Sequence, residues 1–462
     1  MDQETTPQQS SSSSDIALVI TACMIGIMMT FLVYSGNFIF GSIKGIWMYR
    51  YFEEISSLPR WIPVIALVLL ALSVFIGGKL IHLHEKTTLI ISFLILLVLQ
   101  FVMRSATPFS PGEIVASDKS NSFYTPSVQY SALEILRNFE SLAATFPLHA
   151  RTNMPGKILF FEFLGLFAET PKGMGVLIVV FSSLGGVLLY SICRKMFNDK
   201  VAAYYAYIFY ILIPCRLFFL PLLNTITPLF MLLMVLLVVI FTENNKILNA
   251  WLTGTTVYFL VLFEPSPLVT GLIPAGILLY SFVNNKLTKQ AILRLIIHAS
   301  LAFLVLHLIF RTFFSFDLFE TLQFVLRDAT HFNQLAGRGY RIWLGENLKE
   351  FFYSAGTPVM VIFIYSISQA AVRWDEITNP AHWSYEFVYS VSLLITFAFV
   401  VLLGINRGEI SRLWIYLAVL FQVPAAVYIA KIKKSTLIFY LVAGTLVIQT
   451  LLPLHRVGFT NP

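Results

Sequence analysis

The sequence predicts an all-α protein that crosses a membrane many times, and two observations support this fold class. Of 462 residues, 57% are hydrophobic and only 12% are charged. A soluble protein could not bury that proportion of apolar residues in its core. The apolar runs are continuous and repeatedly reach about 20 residues, the length that a helix needs to cross the roughly 30 Å hydrocarbon core. Because barrel strands alternate apolar and polar residues, the continuous runs favour helices.

The chain divides into a short tail and a polytopic transmembrane helical bundle. The first fourteen residues carry two acidic residues, no Lys or Arg and a run of serines, so residues 1–15 are predicted to be a disordered cytoplasmic tail. Residues 16–462 are predicted to form one domain of about thirteen spans. The predicted spans are 16–38, 61–81, 87–103, 174–193, 201–220, 225–241, 247–263, 267–283, 294–313, 355–372, 385–404, 411–429 and 435–453.

Basic residues in the short loops predict the orientation, because such loops tend to stay in the cytoplasm. With the N-terminus inside, the inward loops hold Arg194, Lys195 and Lys200, then Lys286, Lys289 and Arg294, then Lys431, Lys433 and Lys434. One outward loop, which holds Lys44, Arg50 and Arg60, disagrees with the rule. The protein is therefore expected in the plasma (inner) membrane, with long outer loops at 104–173 and 314–354 that contain interfacial helices.

The net charge of +7 raises the alternative of nucleic-acid binding. The basic residues are dispersed at span ends, however, and anionic lipid headgroups explain that distribution better. The lipid bilayer is thus the expected partner, and no nucleic acid is expected. The spacing of His, Cys, Asp and Glu does not match a metal site, so the sequence predicts no metal and no cofactor.

Three stretches of the sequence resemble motifs of one enzyme family. The first runs from Ser117 to Tyr124 and continues at 147–156. Its second part is similar to an H-x-x-x-H-P-P-G pattern in which Asn153 and Met154 replace the second His and first Pro. The second is a basic turn at 193–197 followed by an Ala-rich span. The third, at 408–414, reads Gly-Glu-Ile-Ser-Arg-Leu-Trp and looks like a G-E-x-x-R-L-W element.

These stretches are similar to the GT-C membrane glycosyltransferases, in particular their protein-mannosyltransferase-like and arabinosyltransferase-like branches. The resemblance implies a sugar donor carried on a polyprenyl phosphate, transfer on the extracytoplasmic face and inversion at the anomeric carbon. It also implies an acidic catalytic base in the first large outer loop. Some relatives use a divalent ion, which keeps metal dependence open. The acceptor is unknown.

Glycosyl transfer requires a base, because the acceptor hydroxyl must lose a proton as it attacks an oxocarbenium-like centre. Asp118 is the first candidate, after an extended Pro-Gly-Glu stretch, and Glu113 is the second. The competing interpretation is that Asp118 only solvates its loop or pairs with Lys119.

The leaving lipid phosphate would be held best by arginine side chains near the membrane surface. Arg151, Arg338, Arg341, Arg407 and Arg412 fall on the predicted outer side, as do Arg216 and Arg311 at span ends. Such an outward set opposes the usual charge bias, and Arg412, beside Glu409, is the strongest candidate.

Three further residues are candidates for substrate contacts. His149 lies on a loop near Arg151, where it would orient the donor phosphate or the base, although a lone loop histidine is more often a surface residue. Glu264 lies in a tight corner between two spans, where pairing with an arginine is the alternative. Tyr340 could stack on a sugar ring, although an aromatic belt at the membrane interface also explains it.

Two other classes of function compete with a glycosyltransferase. A polysaccharide polymerase or ligase also has Arg-rich outer loops but does not predict the element at 147–156. A lipid or sugar transporter would explain the spans alone. Transporters tend to carry ionisable residues near the bilayer midplane and helices broken in paired halves, whereas here the unusual polar residues gather on one predicted face.

Overall fold

A computed structural model of the protein describes residues 13–53, 57–335, 337–372 and 379–462. Residues 1–12, the greater part of the predicted tail, lie outside the described residues. Regular structure in these ranges is helical, apart from one antiparallel pair of short strands, β1 (Gly41–Ser42) and β2 (Trp47–Met48). The α-helices are α1 Ser13–Tyr34, α2 Trp61–Leu80, α3 Glu85–Arg104, α4 Pro111–Ala116, α5 Tyr124–Gln129, α6 Ala132–Ala143, α7 Leu148–Arg151, α8 Gly156–Gly165, α9 Pro171–Phe197, α10 Lys200–Leu212, α11 Pro214–Phe219, α12 Thr227–Asn244, α13 Ile247–Phe263, α14 Leu272–Val283, α15 Lys289–Phe314, α16 Leu318–Leu335, α17 Tyr340–Ser354, α18 Thr357–Val372, α19 Tyr385–Leu403, α20 Ile410–Leu413, α21 Ile415–Lys431 and α22 Ser435–Arg456.

Several of these helices are long and apolar enough to cross a membrane. In the described part of the chain there are nine, or up to ten if α17 and the start of α18 form one bent span. The nine coincide with nine of the thirteen predicted spans. The other four predicted spans fall on α18 and on the shorter apolar helices α10, α13 and α21. The protein is therefore an all-α integral membrane protein, and the count of thirteen stays a prediction.

Burial divides these helices into a centre and a periphery. Nearly every residue of α10 and α21 is buried, and the two helices pack against each other. In contrast, α15 is strongly apolar but buries only four residues inside the protein, so most of its leucines and isoleucines face outward. An apolar helix exposed around most of its surface requires a hydrocarbon solvent.

The predicted span 201–220 is broken in the structure. Helix α10 ends at Leu212, and α11 begins at Pro214, because proline lacks the N–H that continues a helix and forces Ile213 into an extended conformation. The break turns Arg216 inward, where it is fully buried and donates hydrogen bonds to Ser182 and Ser183. The position of Arg216 on the outer side of the membrane stays a prediction, but its guanidinium is used in packing between helices.

The chain also bends by 105° between α17 and α18. Gly356 adopts a φ of +101° at the bend, which an L side chain rarely adopts. Buried glutamines bind the backbone groups that the break exposes. Gln449 binds the carbonyl of Tyr353 and the N–H of Thr357, and Gln422 binds the carbonyl of Ala355. These bonds satisfy the broken backbone, as an apolar surrounding requires, and they fix the direction of α17.

The long segment between α3 and α9 folds into the short helices α4 to α8. Capping boxes start two of them, Ser110 with Glu113 at α4 and Ser131 with Glu134 at α6. The expected extended Pro-Gly-Glu stretch is therefore wrong, since Pro111 occupies the first turn of a capped helix, where its missing N–H costs nothing. The segments predicted as interfacial helices are helical, α6 and α8 among them, and α8 is too short to span a bilayer.

Candidate functional site

The loop between α19 and α21 carries Glu409 and Arg412 on a tightly turned backbone. Gly404 and Gly408 take positive φ values of +56° and +89°, and Glu409 itself has a φ of +60°. Gly408 also lets the loop pack on Trp343 of α17, because a Cβ there would lie 2.9 Å from the indole ring. Glycine at this position allows a close approach that a larger residue would prevent.

Helix α17 holds this loop through two buried polar side chains. Asn347 donates to the carbonyl of Asn406 at 2.9 Å and accepts from the N–H of Gly408 at 3.2 Å. Glu350 accepts from the N–H of Ser411 at 2.7 Å and, with its other oxygen, from the N–H of Gly41 at 3.1 Å. The bend before α18 therefore positions both the loop and the β1–β2 hairpin.

A buried ion cluster forms around the Glu409 carboxylate. It pairs with Arg412 and, at 3.6 Å, with Arg338; the three side chains are 8–14% exposed. The Arg338 guanidinium lies over the rings of Trp47 and Trp343, at 5.4 and 5.8 Å from their centroids. Burial opposes the charge on Glu409, but Arg412 and Arg338 hold the pKa of its carboxyl below the ordinary value. Two cations thus share one fixed anion.

His149, at the start of α7, meets this cluster. Its Nε2 lies 3.4 Å from Nη1 of Arg412. Burial, followed by the positive charge of Arg412, lowers the pKa of His149 to about 3. The imidazole is therefore neutral near pH 7, and its Nε2 is suited to accept a hydrogen bond from the Arg412 guanidinium.

A second buried ion pair joins Lys157 of α8 to Glu264. Their charged atoms lie 3.0 Å apart, and both side chains are almost fully buried. Lys157 also donates to Oδ1 of Asn153 at 3.3 Å, and the amide of Asn153 donates to the carbonyl of His149 at 2.8 Å. Glu264 accepts from Thr227 at 2.6 Å. Burial lowers the pKa of Lys157 and Glu264 opposes that shift. Asn153 therefore links the Lys157–Glu264 pair to the segment of His149, and through His149 to the cluster of Glu409 and Arg412.

The two predicted catalytic acids lie on the segment that enters this site. Asp118 is exposed and accepts a hydrogen bond from Thr125. Its loop reaches Phe123, whose ring lies 5.4 Å from Nζ of Lys157. Glu113 is also exposed, but its carboxylate caps α4 by binding Ser110, which lowers its pKa. The carboxylate of Asp118 has fewer backbone partners than that of Glu113.

Three other predicted residues serve as braces around the cluster. Arg407 donates to the carbonyls of Gly404 and Arg338, and its guanidinium lies over the ring of Tyr340. Tyr340 donates to the carbonyl of Leu402 at 2.8 Å. Arg151 pairs instead with Asp328 of α16 at 3.1 Å, where the two side chains are 41% and 31% exposed. These contacts hold loop backbone and helices together.

Sequence reasoning missed four residues of the site: Tyr49, Lys157, Asn347 and Glu350. Lys157 had a visible signal, because it is a lone lysine at the start of an apolar segment that is too short to span. Glu350, Asn347 and Tyr49 had none, since only the fold brings them to the loop that carries Arg412, where the charges of Glu350, Glu409 and Arg412 act on the hydroxyl of Tyr49.

The site's donor set does not resemble a metal centre. No group of three or more His, Cys, Asp or Glu side chains comes together within the part of the chain that the structure describes. The carboxylates of Glu409 and Glu264 are instead paired with cations.

The geometry defines an integral membrane protein with a buried, mixed-charge polar site. Comparison with models of known protein families gave no match, and comparison with curated proteins gave none either.

Proposed function

We propose that this protein is an integral membrane glycosyltransferase that moves a sugar from a polyprenyl-phosphate donor to an acceptor on the extracytoplasmic face. The observation that carries this proposal is the convergence of Arg338, Arg412, Lys157 and neutral His149 from three separate segments, beside the loop of Asp118. Fixed cations in a water-poor site are suited to stabilise a departing phosphate. Synthesis of a cell-envelope glycan or glycolipid is the proposed role.

In this mechanism, Asp118 takes the proton of the acceptor hydroxyl. The acceptor oxygen then bonds to the anomeric carbon as the bond from that carbon to the phosphate oxygen breaks, and the configuration inverts. The electron pair of the broken bond goes to the lipid phosphate, whose added charge Arg412 and its neighbours stabilise. Asp118 is preferred to Glu113, because the carboxylate of Glu113 is engaged in capping α4.

Transfer of radiolabelled sugar from polyprenyl-phosphate donors, by purified protein in liposomes, tests the proposal. We expect Asp118→Asn and Arg412→Gln each to lower the transfer rate by at least about a hundredfold, since each removes charge that acts in the transition state. Glu113→Gln is the matched control and should keep most of the activity. Each variant must retain the wild-type elution volume and unfolding midpoint. Full activity of Asp118→Asn would remove Asp118 as the base.

One observation favours a second candidate, a sugar or lipid transporter. The pair of Lys157 and Glu264 is almost fully buried, and buried ionisable pairs are frequent on transport pathways. The same liposomes separate the two functions. Movement of a labelled sugar-lipid across the bilayer without any transfer to an acceptor would favour transport.

A further inference from the structure

Two buried polar atoms beside Glu409 have no hydrogen-bond partner among the described residues. They are the hydroxyl of Tyr49 and Nε of Arg412. Tyr49 is only 8% exposed, and the side chain of Arg412 is 12% exposed. Because buried donors are nearly always satisfied in folded proteins, an unsatisfied pair at a charged site points to a ligand that supplies the acceptor.

Tyr49 is held rigidly at the edge of the cluster. Its ring packs against Trp47 at 4.7 Å and against Phe459 at 5.2 Å, measured between ring centroids. Trp47 in turn lies beneath the guanidinium of Arg338. The strand next to Trp47 begins at Gly41, whose N–H is bound by Glu350. This packing fixes the position of the Tyr49 hydroxyl but provides no hydrogen-bond partner for it among the described residues.

The surroundings of Tyr49 keep its hydroxyl protonated. Burial first, and then the carboxylates of Glu350 and Glu409, raise the pKa of Tyr49 well above its usual value, and the charges of Arg412 and Arg338 only partly oppose this. Tyr49 is therefore available as a hydrogen-bond donor. Arg412 directs one terminal nitrogen to Glu409 and the other to His149, which leaves its Nε–H as a second donor.

We propose that the hydroxyl of Tyr49 and Nε of Arg412 together bind one anionic end of the substrate, a phosphate group. A phosphate oxygen accepts hydrogen bonds and carries the negative charge that two neighbouring guanidinium groups favour. A neutral sugar hydroxyl would not neutralise that positive charge. This inference rests on the proposed function, and it adds a residue that no motif in the sequence indicates.

Equilibrium binding of radiolabelled ligands to the full-length protein in nanodiscs tests the inference. The probes are a long-chain polyprenyl monophosphate, the uncharged polyprenol of the same length, and inorganic phosphate. Tyr49→Phe removes the hydroxyl and keeps the ring packing. Tyr207→Phe is the matched control, because Tyr207 is fully buried in α10 and its hydroxyl also lacks a partner among the described residues. Arg412→Gln is the positive control for loss of phosphate binding.

We expect Tyr49→Phe to weaken binding of polyprenyl phosphate about tenfold or more, as loss of a hydrogen bond to a charged group does, and to leave polyprenol binding unchanged. Tyr207→Phe should bind like wild type. A parallel loss of inorganic phosphate binding would also support the contact and would show that the free headgroup suffices. If Tyr49→Phe binds like wild type while Arg412→Gln does not, the role of Tyr49 is overturned and the proposed function stands. If wild type binds polyprenol as tightly as polyprenyl phosphate, both fail.

Discussion

Glu409 combines an unfavourable backbone with favourable charge contacts. Its φ of +60° lies in the left-handed region, which costs a non-glycine residue about 1–2 kcal/mol. The same conformation starts α20 and lets one carboxylate reach both Arg338 and Arg412. Leaving two buried guanidinium groups without this anion would cost several kcal/mol, which is more than the strain. The residue therefore serves the charge arrangement rather than the turn.

The lowered pKa of His149 predicts that acid destabilises the protein. Between the ordinary value of 6.5 and about 3, the unfolded chain binds a proton that the folded chain does not, so stability falls as pH decreases through this window. We expect the midpoint of thermal unfolding, measured in detergent micelles, to be lower at pH 5 than at pH 7. His149→Gln should show a smaller decrease. Both pH values lie above the ordinary glutamate value of 4.5, so protonation of Glu409 contributes little. An equal decrease in the variant would contradict the assignment.

The sequence indicates the type of the site's residues better than their arrangement. His149, Arg338, Glu409 and Arg412 were all singled out, the arginines by their position against the usual charge bias, and the structure brings them together. Their functional roles stay predictions. Other predicted residues point away from the site, as Arg151 does toward Asp328. Their direction depends on contacts between segments far apart in the chain, and a single sequence does not contain that information.

At the scale of elements, α8 places Lys157 by packing very close to the end of α13. A Cβ at Gly156 would lie 2.4 Å from the carbonyl oxygen of Leu262, which is backbone and cannot rotate away. We expect Gly156→Ala to lower the free energy of unfolding by about 1–3 kcal/mol, as overpacking does, and to weaken the pairing of Lys157 with Glu264. Unfolding midpoints in detergent measure the change.

Gly165, at the other end of α8, provides the control for this substitution. The nearest atom to its added Cβ is Cε of Met174, at 3.8 Å, which is ordinary contact. Gly165→Ala should therefore change stability by less than about 1 kcal/mol, and a slight gain is expected from the reduced freedom of the unfolded chain. Equal losses in the two variants would show that helix packing at Gly156 is not the cause.

Helices with continuous apolar runs were predictable, and breaks were predictable only where a residue type marks them. The break between α10 and α11 lies at Pro214. A proline is a visible signal for a helix break, although the predicted span 201–220 ran through this position. The bend at Gly356 depends instead on Gln422 and Gln449, which lie on later helices. Long-range hydrogen bonds of this kind leave no local pattern.

At the scale of the whole molecule, the predicted orientation places the loops near Lys119 and Lys433 on opposite sides of the membrane. Both side chains are exposed. After replacement of the three buried cysteines, Cys23, Cys193 and Cys215, we expect Lys119→Cys to react with a membrane-impermeant maleimide in intact cells. Lys433→Cys should react only after permeabilisation.

Labelling of both cysteines from outside would contradict an odd number of spans between these positions. Labelling of Lys433→Cys alone would invert the orientation and move the site to the cytoplasmic side. The basic residues Lys44, Arg50 and Arg60 already oppose the predicted orientation, so this experiment decides between two readings of the loop charges.

The central position of α10 has a consequence for how the protein is made. This helix has only 13 residues, and α11, which follows it, carries the buried Arg216. Neither helix is well suited to partition into lipid alone. The central helix that packs against α10, α21, leaves the ribosome much later. During synthesis, α10 must therefore pack against earlier helices such as α9 until α21 has been made. A chain that ends before α21 should be recognised and degraded by membrane quality control.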